Sequence, residues 1–161
     1  AGNLDKYEAA VHLRDICRDL TFLISGRIDI ALAGGADGIH LGQTDMPCKT
    51  AREMLGEEKI IGVTVHNLFE ALVAKRDGAD YLGVSPIFQT ATKSDAGKPA
   101  GIALIEEIRR KIDIPLIAIG GINLSNAPEV IGAGADGLCA ISCVVESDDV
   151  SAQIKRFQDL F

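Results

Sequence analysis

Apolar residues along the chain follow two rhythms that take turns. Short runs rich in branched side chains predict six strands, at 21–24, 38–41, 59–65, 81–87, 116–119 and 137–142. Between them, apolar positions three and four apart predict helices at 4–20, 28–33, 47–55, 68–76, 101–111 and 151–161, with a further periodic stretch after Ser125. In the first helix Ala9, Ala10, Leu13, Ile16, Cys17 and Leu20 share the spacing of a face turned to a core. Leu116-Ile117-Ala118-Ile119 has no polar alternation, which predicts a strand buried on both faces, as in a parallel sheet covered by helices.

A repeat sharpens this parsing. Gly35-Ala36-Asp37-Gly38, Gly78-Ala79-Asp80-Tyr81 and Gly134-Ala135-Asp136-Gly137 each stand between a helical pattern and an apolar strand. The glycine stops the helix and the short link turns the chain into the next strand. These aspartates are expected to be structural, on the face opposite any site. Regular strand and helix alternation implies parallel right-handed crossovers, in a (βα) barrel or an open doubly wound sheet. Chemistry would then gather at the carboxyl ends of the strands in either case.

Composition narrows the class. A chain of 161 residues that is 47% hydrophobic predicts one domain, 1–161, with a real core. A formal charge of -7 and the lack of a basic run argue against nucleic acid or an anionic membrane as the main partner. No apolar run approaches the ~20 residues needed to cross a bilayer, and the start, AGNLDKYEAA, lacks the pattern of a secretory leader. A cytosolic protein is expected. Cys17, Cys48, Cys139 and Cys143 show no C-x-x-C spacing and are expected to be reduced core thiols.

The expected strand ends carry the polar residues. They are Ser25-Gly26-Arg27, His40 with Gln43 and Asp45, Thr64 with His66, Ser85 with Thr90, Thr92, Lys93 and Asp95, then Gly120-Gly121 and Ile141-Ser142. Two adjoining strands that end in small residues, each feeding a helix start, make a seat for a phosphate, because free N–H groups and helix dipoles both favour an anion. Close packing of strand on helix is the competing use of Gly120-Gly121. Residues 88–100 form the longest non-helical stretch, and its hydroxyls and lysine suit a lid over phosphate as well as an ordinary solvated loop. Asp45 fits a magnesium ligand or the N-cap of the helix at 47–55. His40 and His66 fit catalytic or hydrogen-bonded structural roles equally.

Taken as an ordered set, GADGIHLGQTDMP (35–47), IIGVTVHN (60–67), GADYLGVSPIFQTATKSD (78–95), IPLIAIGGIN (114–123) and GADGLCAIS (134–142) resemble the thiamine phosphate synthase family. The resemblance runs from about Thr21 onward. It implies a TIM-barrel α/β fold, a parallel sheet with helices outside, and a transferase that joins hydroxymethylpyrimidine pyrophosphate to hydroxyethylthiazole phosphate and releases pyrophosphate with Mg²⁺. In that scheme Asp45 is a magnesium ligand and Thr64 stands at a pyrophosphate-binding serine. Lys93 meets pyrophosphate from the lid, Thr90 and Thr92 flank the thiazole, Gly121, Ile141 and Ser142 seat its phosphate, and His40 lines the pyrimidine pocket.

The chain departs from the family pattern in two places. Ser25-Gly26-Arg27 stands where the family reads Asn-Asp-Arg, so one metal carboxylate is missing. Six strands are predicted of the usual eight, whereas a complete barrel takes about 250 residues, and the chain starts at Ala1 rather than Met. The expectation is a six-strand portion of the fold, left open or completed by a second chain or another copy. Three readings follow: the synthase, a thiazole tautomerase-like enzyme that would share His66 and the phosphate seat, and a non-catalytic phosphate-binding remnant.

Overall fold

The computed structural model describes residues 2–90, 92 and 97–161. Six strands and eight helices alternate along the described chain: α1 (Asn3–Ile16), β1 (Leu23–Ser25), α2 (Ile28–Ala33), β2 (Gly38–Leu41), α3 (Cys48–Leu55), β3 (Ile60–Val65), α4 (Leu68–Arg76), β4 (Tyr81–Val84), α5 (Ile102–Arg109), β5 (Leu116–Ile119), α6 (Ala127–Gly132), β6 (Gly137–Cys139), α7 (Ser142–Val145) and α8 (Val150–Gln158). Contacts group them into two compact units, Ala1–Thr64 with Val73–Tyr81, and Val65–Leu72 with Leu82–Phe161.

In the first unit β1, β2 and β3 lie side by side and parallel, with Ser25 beside His40 and His40 beside Gly62. Ile39, Leu41 and Ile61 are fully buried between this sheet and its helices. In the second unit β4, β5 and β6 repeat the arrangement, with Val84 beside Ala118 and Ile119 beside Cys139. Leu82, Ile105, Ile108 and Leu116 form its core.

The three aspartates of the repeat close one motif three times. Asp37, Asp80 and Asp136 each accept a backbone N–H from the chain entering the preceding strand, from Phe22 at 2.8 Å, Ile61 at 2.6 Å and Leu116 at 2.8 Å. Each also takes a guanidinium from the helix before that strand: Arg14 for Asp37, Arg52 for Asp80 and Arg109 for Asp136. The structural role expected of these aspartates is what the geometry shows. The Phe22 N–H, with Arg14 adding to it, holds the Asp37 carboxyl below its ordinary value of 3.8. A depressed folded-state pKa stabilises the fold above the ordinary value, and that contribution is lost as pH falls through the lower folded-state one. Asp37→Asn is therefore expected to flatten the loss of stability below about pH 4, measured by urea unfolding across an acid pH series; an unchanged pH slope would remove Asp37 from the linkage.

Several expectations need correction. Helix α1 stops at Ile16, and of its expected apolar face only Ala10 is buried, while Leu13, Ile16 and Leu20 are exposed. At Ala10 the packing is between small groups, since a Cβ on Gly34 would lie 3.2 Å from that of Ala10. Strand β5 is buried on one face only: Leu116 and Ala118 are enclosed, and Ile117 and Ile119 are half-buried. Beside Ile117 stands Gly137, which offers no side chain to cover it; a Cβ there would fall 2.8 Å from Ile117 Cδ1. Strand β6 ends at Cys139, because Ile141 takes a ψ of -76° and its carbonyl accepts the Val144 and Val145 N–H groups. Ser142 thus opens a short helix and does not end a strand. The strand expected at 81–87 ends at Val84, ahead of a cis Ser85–Pro86 peptide. The cysteines are unpaired thiols as expected, half-buried and not fully enclosed.

Candidate functional site

In the first unit, the carboxyl ends of β1, β2 and β3 carry a network centred on His40. Its Nδ1 lies 2.7 Å from Tyr81 Oη and its Nε2 lies 2.7 Å from Thr64 Oγ1. A hydroxyl can donate or accept, so either tautomer is satisfied on both sides. His40 is therefore a brace that fixes Thr64, and not a free base. The Tyr81 ring is tilted 32° to the imidazole, with centroids 5.5 Å apart. That ring occupies the space a side chain at position 62 would need: a Cβ on Gly62 would fall on Tyr81 Cζ and Oη. Gln43 Nε2 adds a bond to Thr64 O at 2.6 Å.

Asp45 reaches back over the β1 end. Its Oδ2 accepts the Gly42 N–H at 2.7 Å, and a Cβ on Gly26 would come within 3.1 Å of Oδ1. The N-cap alternative for this aspartate is overturned, since Pro47 occupies the cap of α3 and no side chain bonds there. Gly26 sits at φ +70° with its N–H on His40 O, so the bare residue gives the carboxylate its room. An aspartate at position 26 would meet both a strained backbone and the Asp45 oxygens. Arg27 is turned away into bonds with Asp29 and Asn3.

Among the described residues no three His, Cys, Asp or Glu side chains converge as a ready metal cage. Asp45 is exposed and keeps Oδ1 without a hydrogen-bond partner among them. One such carboxylate fits Mg²⁺, which commonly takes one or two carboxylates and completes its shell with substrate phosphates and water.

In the second unit, Gly120 and Gly121 take φ of +99° and +65° beyond β5. Packing against the chain after Pro86 also requires them: a Cβ on Gly120 would lie 2.8 Å from that of Pro86, and one on Gly121 would lie 2.6 Å from Gln89 O. Close packing is therefore one reason that both positions are glycine. The pairing of Ile119 with Cys139 brings the Gly121 turn and the Ile141-Ser142 start of α7 to adjoining strand ends, and Cys143 Sγ bonds Ile122 O at 3.1 Å. Thr90 Oγ1 accepts the Thr92 N–H at 3.3 Å. Lys93 and Asp95 lie outside the described residues. His66 is engaged at the start of α4, where its N–H and Nδ1 both meet Glu70 Oε2, at 2.7 and 3.0 Å, while Asn67 Oδ1 caps the helix through the Glu70 N–H. The expected cap at 66–67 is in place.

Tyr81 was not among the residues expected at the site. Its signal is in the repeat, where Tyr81 stands in the place that Gly38 and Gly137 hold in the other two copies, and in the glycine set inside the β3 run.

The family model described as thiamine monophosphate synthase matches residues 2–144. The chain belongs to the thiamine monophosphate synthase family. The thiamine-phosphate synthase of Chloroflexus aurantiacus is 50% identical over 99% of this chain and 74% of its own. That of Methanosarcina mazei is 53% identical over 95% of this chain and 64% of its own. Among solved structures, a thiamine phosphate pyrophosphorylase from Pyrococcus furiosus superposes with a TM-score of 0.90 at 40% identity, covering 99% of this chain and 77% of that one. A 3-hexulose-6-phosphate synthase, at 17% identity and a TM-score of 0.74, shares the fold alone. The barrel-type (βα) fold and the transferase family expected from the sequence are borne out for this thiamine monophosphate synthase family member. No helix among its described residues is long and apolar enough to cross a membrane.

Proposed function

We propose that the chain performs the transfer of its family, joining hydroxymethylpyrimidine pyrophosphate and hydroxyethylthiazole phosphate to give thiamine phosphate and pyrophosphate. The C–O bond to pyrophosphate breaks and the leaving group takes both electrons. The thiazole nitrogen lone pair then forms the C–N bond at the pyrimidine methylene. The protein's contribution is mostly electrostatic, steadying the departing diphosphate while the two reactants are kept aligned.

The residues divide by ligand. Gly121, Ile141 and Ser142 seat the thiazole phosphate, with Thr90 and Thr92 beside the ring. His40 backs the pyrimidine and holds Thr64 toward the diphosphate, which Lys93 also meets. Asp45 would hold Mg²⁺, whose charge lowers the cost of the leaving diphosphate when it is bound. A cytosolic setting belongs to the same reading. The observation that carries it is the junction of the Gly121 turn with the start of α7, fixed by the β5 and β6 register and by the Cys143 to Ile122 bond.

A tautomerase-like reading draws on His66, whose Nδ1 faces the Glu70 carboxylate at 3.0 Å, an arrangement that leaves Nε2 as the basic nitrogen. Titration calorimetry separates the two. For the synthase, pyrophosphate binds only with Mg²⁺ present, and Lys93→Ala weakens pyrophosphate by on the order of tenfold while thiazole phosphate binding is retained. Thiazole phosphate binding together with indifference to Mg²⁺ and pyrophosphate would contradict the synthase reading and favour the tautomerase or the remnant.

A further inference from the structure

The turn after Gly121 is held from behind by two side chains that no substrate role explains. Asn126 Nδ2 donates to Gly121 O at 3.0 Å, and Asn126 Oδ1 accepts the Asn123 N–H at 2.9 Å. Asn123 answers in kind, its Oδ1 accepting the Ser125 N–H at 2.9 Å and the Asn126 N–H at 3.3 Å. This is the reciprocal logic of a capping box, written with two asparagines. Cys143 Sγ meets the carbonyl of the next peptide, Ile122 O, at 3.1 Å.

A trans peptide points its C=O and N–H in opposite directions. Gripping the Gly121 carbonyl therefore sets the direction of the Ile122 N–H, which belongs to the same peptide plane. Gly121 itself, at φ +65°, is free to rotate that plane, so without a restraint the amide would sample other directions. Asn126 is half-buried and its side-chain amide has two committed bonds, which makes it a fixed post.

We propose that Asn126, assisted by Cys143, is a positioning residue for phosphate recognition: it aims the Ile122 amide at the thiazole phosphate by holding the Gly121 carbonyl on the opposite side. The inference rests on the reading of Gly121, Ile141 and Ser142 as the phosphate seat. It makes the asparagine part of specificity for the phosphorylated thiazole, although it touches no ligand itself. An amide hydrogen bond to a charged phosphate carries on the order of tenfold to a hundredfold in affinity.

The test combines amide NMR with calorimetry on the whole chain, using hydroxyethylthiazole phosphate and its dephosphorylated alcohol as probes. In the unsubstituted protein the Ile122 amide proton should move downfield on adding the phosphate and stay in place with the alcohol. In Asn126→Ala the shift should vanish and the phosphate affinity fall by about tenfold or more, with alcohol binding unchanged. Cys143→Ser keeps a donor for Ile122 O and should retain the shift, whereas Cys143→Ala should reduce it. If the unsubstituted protein binds the phosphate without moving Ile122, or does not bind it, the seat is misassigned. If Ile122 moves and Asn126→Ala keeps both the shift and the affinity, the seat stands and the positioning role is refuted. An unfolded Asn126→Ala would be read through the cysteine pair, where equal behaviour of serine and alanine overturns the proposal.

Discussion

Asp45→Asn is expected to cut pyrophosphate release by on the order of a hundredfold or more while leaving the fold intact. Asparagine keeps an oxygen for the Gly42 N–H, the bond that now holds the side chain over Gly26 at 2.7 Å, so the loop has no reason to move. What it loses is the negative charge. In the proposed scheme, with Gly26 in place of a second acidic residue, Asp45 is the one protein carboxylate offered to the metal, so its loss leaves only diphosphate and water to hold it. The expected signature is a shift of the magnesium dependence to higher concentration together with the loss of rate. Thermal unfolding should coincide with that of the unsubstituted chain. A fall in rate with unchanged magnesium dependence would place Asp45 outside the metal site.

Arg52→Ala should bring the largest loss of stability. The Arg52 side chain is 12% exposed, and its guanidinium donates to four acceptors: Gly56 O and Lys59 O at 2.7 Å, Gly78 O at 2.8 Å, and Asp80 Oδ2 at 2.6 Å. The ion pair itself is the smaller part, because the Asp80 side chain is 46% exposed and water screens it. The carbonyls matter more, since removing the donor strands two partly buried acceptors, Lys59 O and Gly78 O, at once, for a loss of about 3 kcal/mol. In a chain of this size that lowers the unfolding midpoint by about 6–12 °C. Lysine should rescue little, because a single ammonium cannot span a set of acceptors arranged for a planar fork. A midpoint that does not move in Arg52→Ala would show that the latch is ornamental.

Much of the architecture was legible because glycine and aspartate punctuate it. Helices α2 and α4 and strands β2 and β5 run between the residues that the sequence pattern marks. The parts that were not legible depend on partners distant in sequence. Nothing in the local pattern marks Arg14, Arg52 and Arg109, and only the fold shows them closing on Asp37, Asp80 and Asp136. The α1 face read as core because periodicity reports what a helix offers, while burial depends on what packs against it, and here only Ala10 is buried, close to Gly34. Strand β6 read too long because Ala140 and Ile141 are as apolar as strand residues, and the turn is set by the backbone at Ile141. At the site, the Gly-Gly pair meets the packing use open to it, against Pro86 and Gln89. His40 proved to be tethered at both nitrogens by hydroxyls from Tyr81 and Thr64, a geometry that no local spacing encodes.

The most direct measurement is pyrophosphate release by the 161-residue chain supplied with hydroxymethylpyrimidine pyrophosphate, hydroxyethylthiazole phosphate and Mg²⁺. Pyrophosphate and thiamine phosphate should appear in equal amounts, and both should be lost on chelating the metal or omitting either substrate. Retained binding of the thiazole phosphate with no pyrophosphate formed under any of these conditions would contradict the synthase reading.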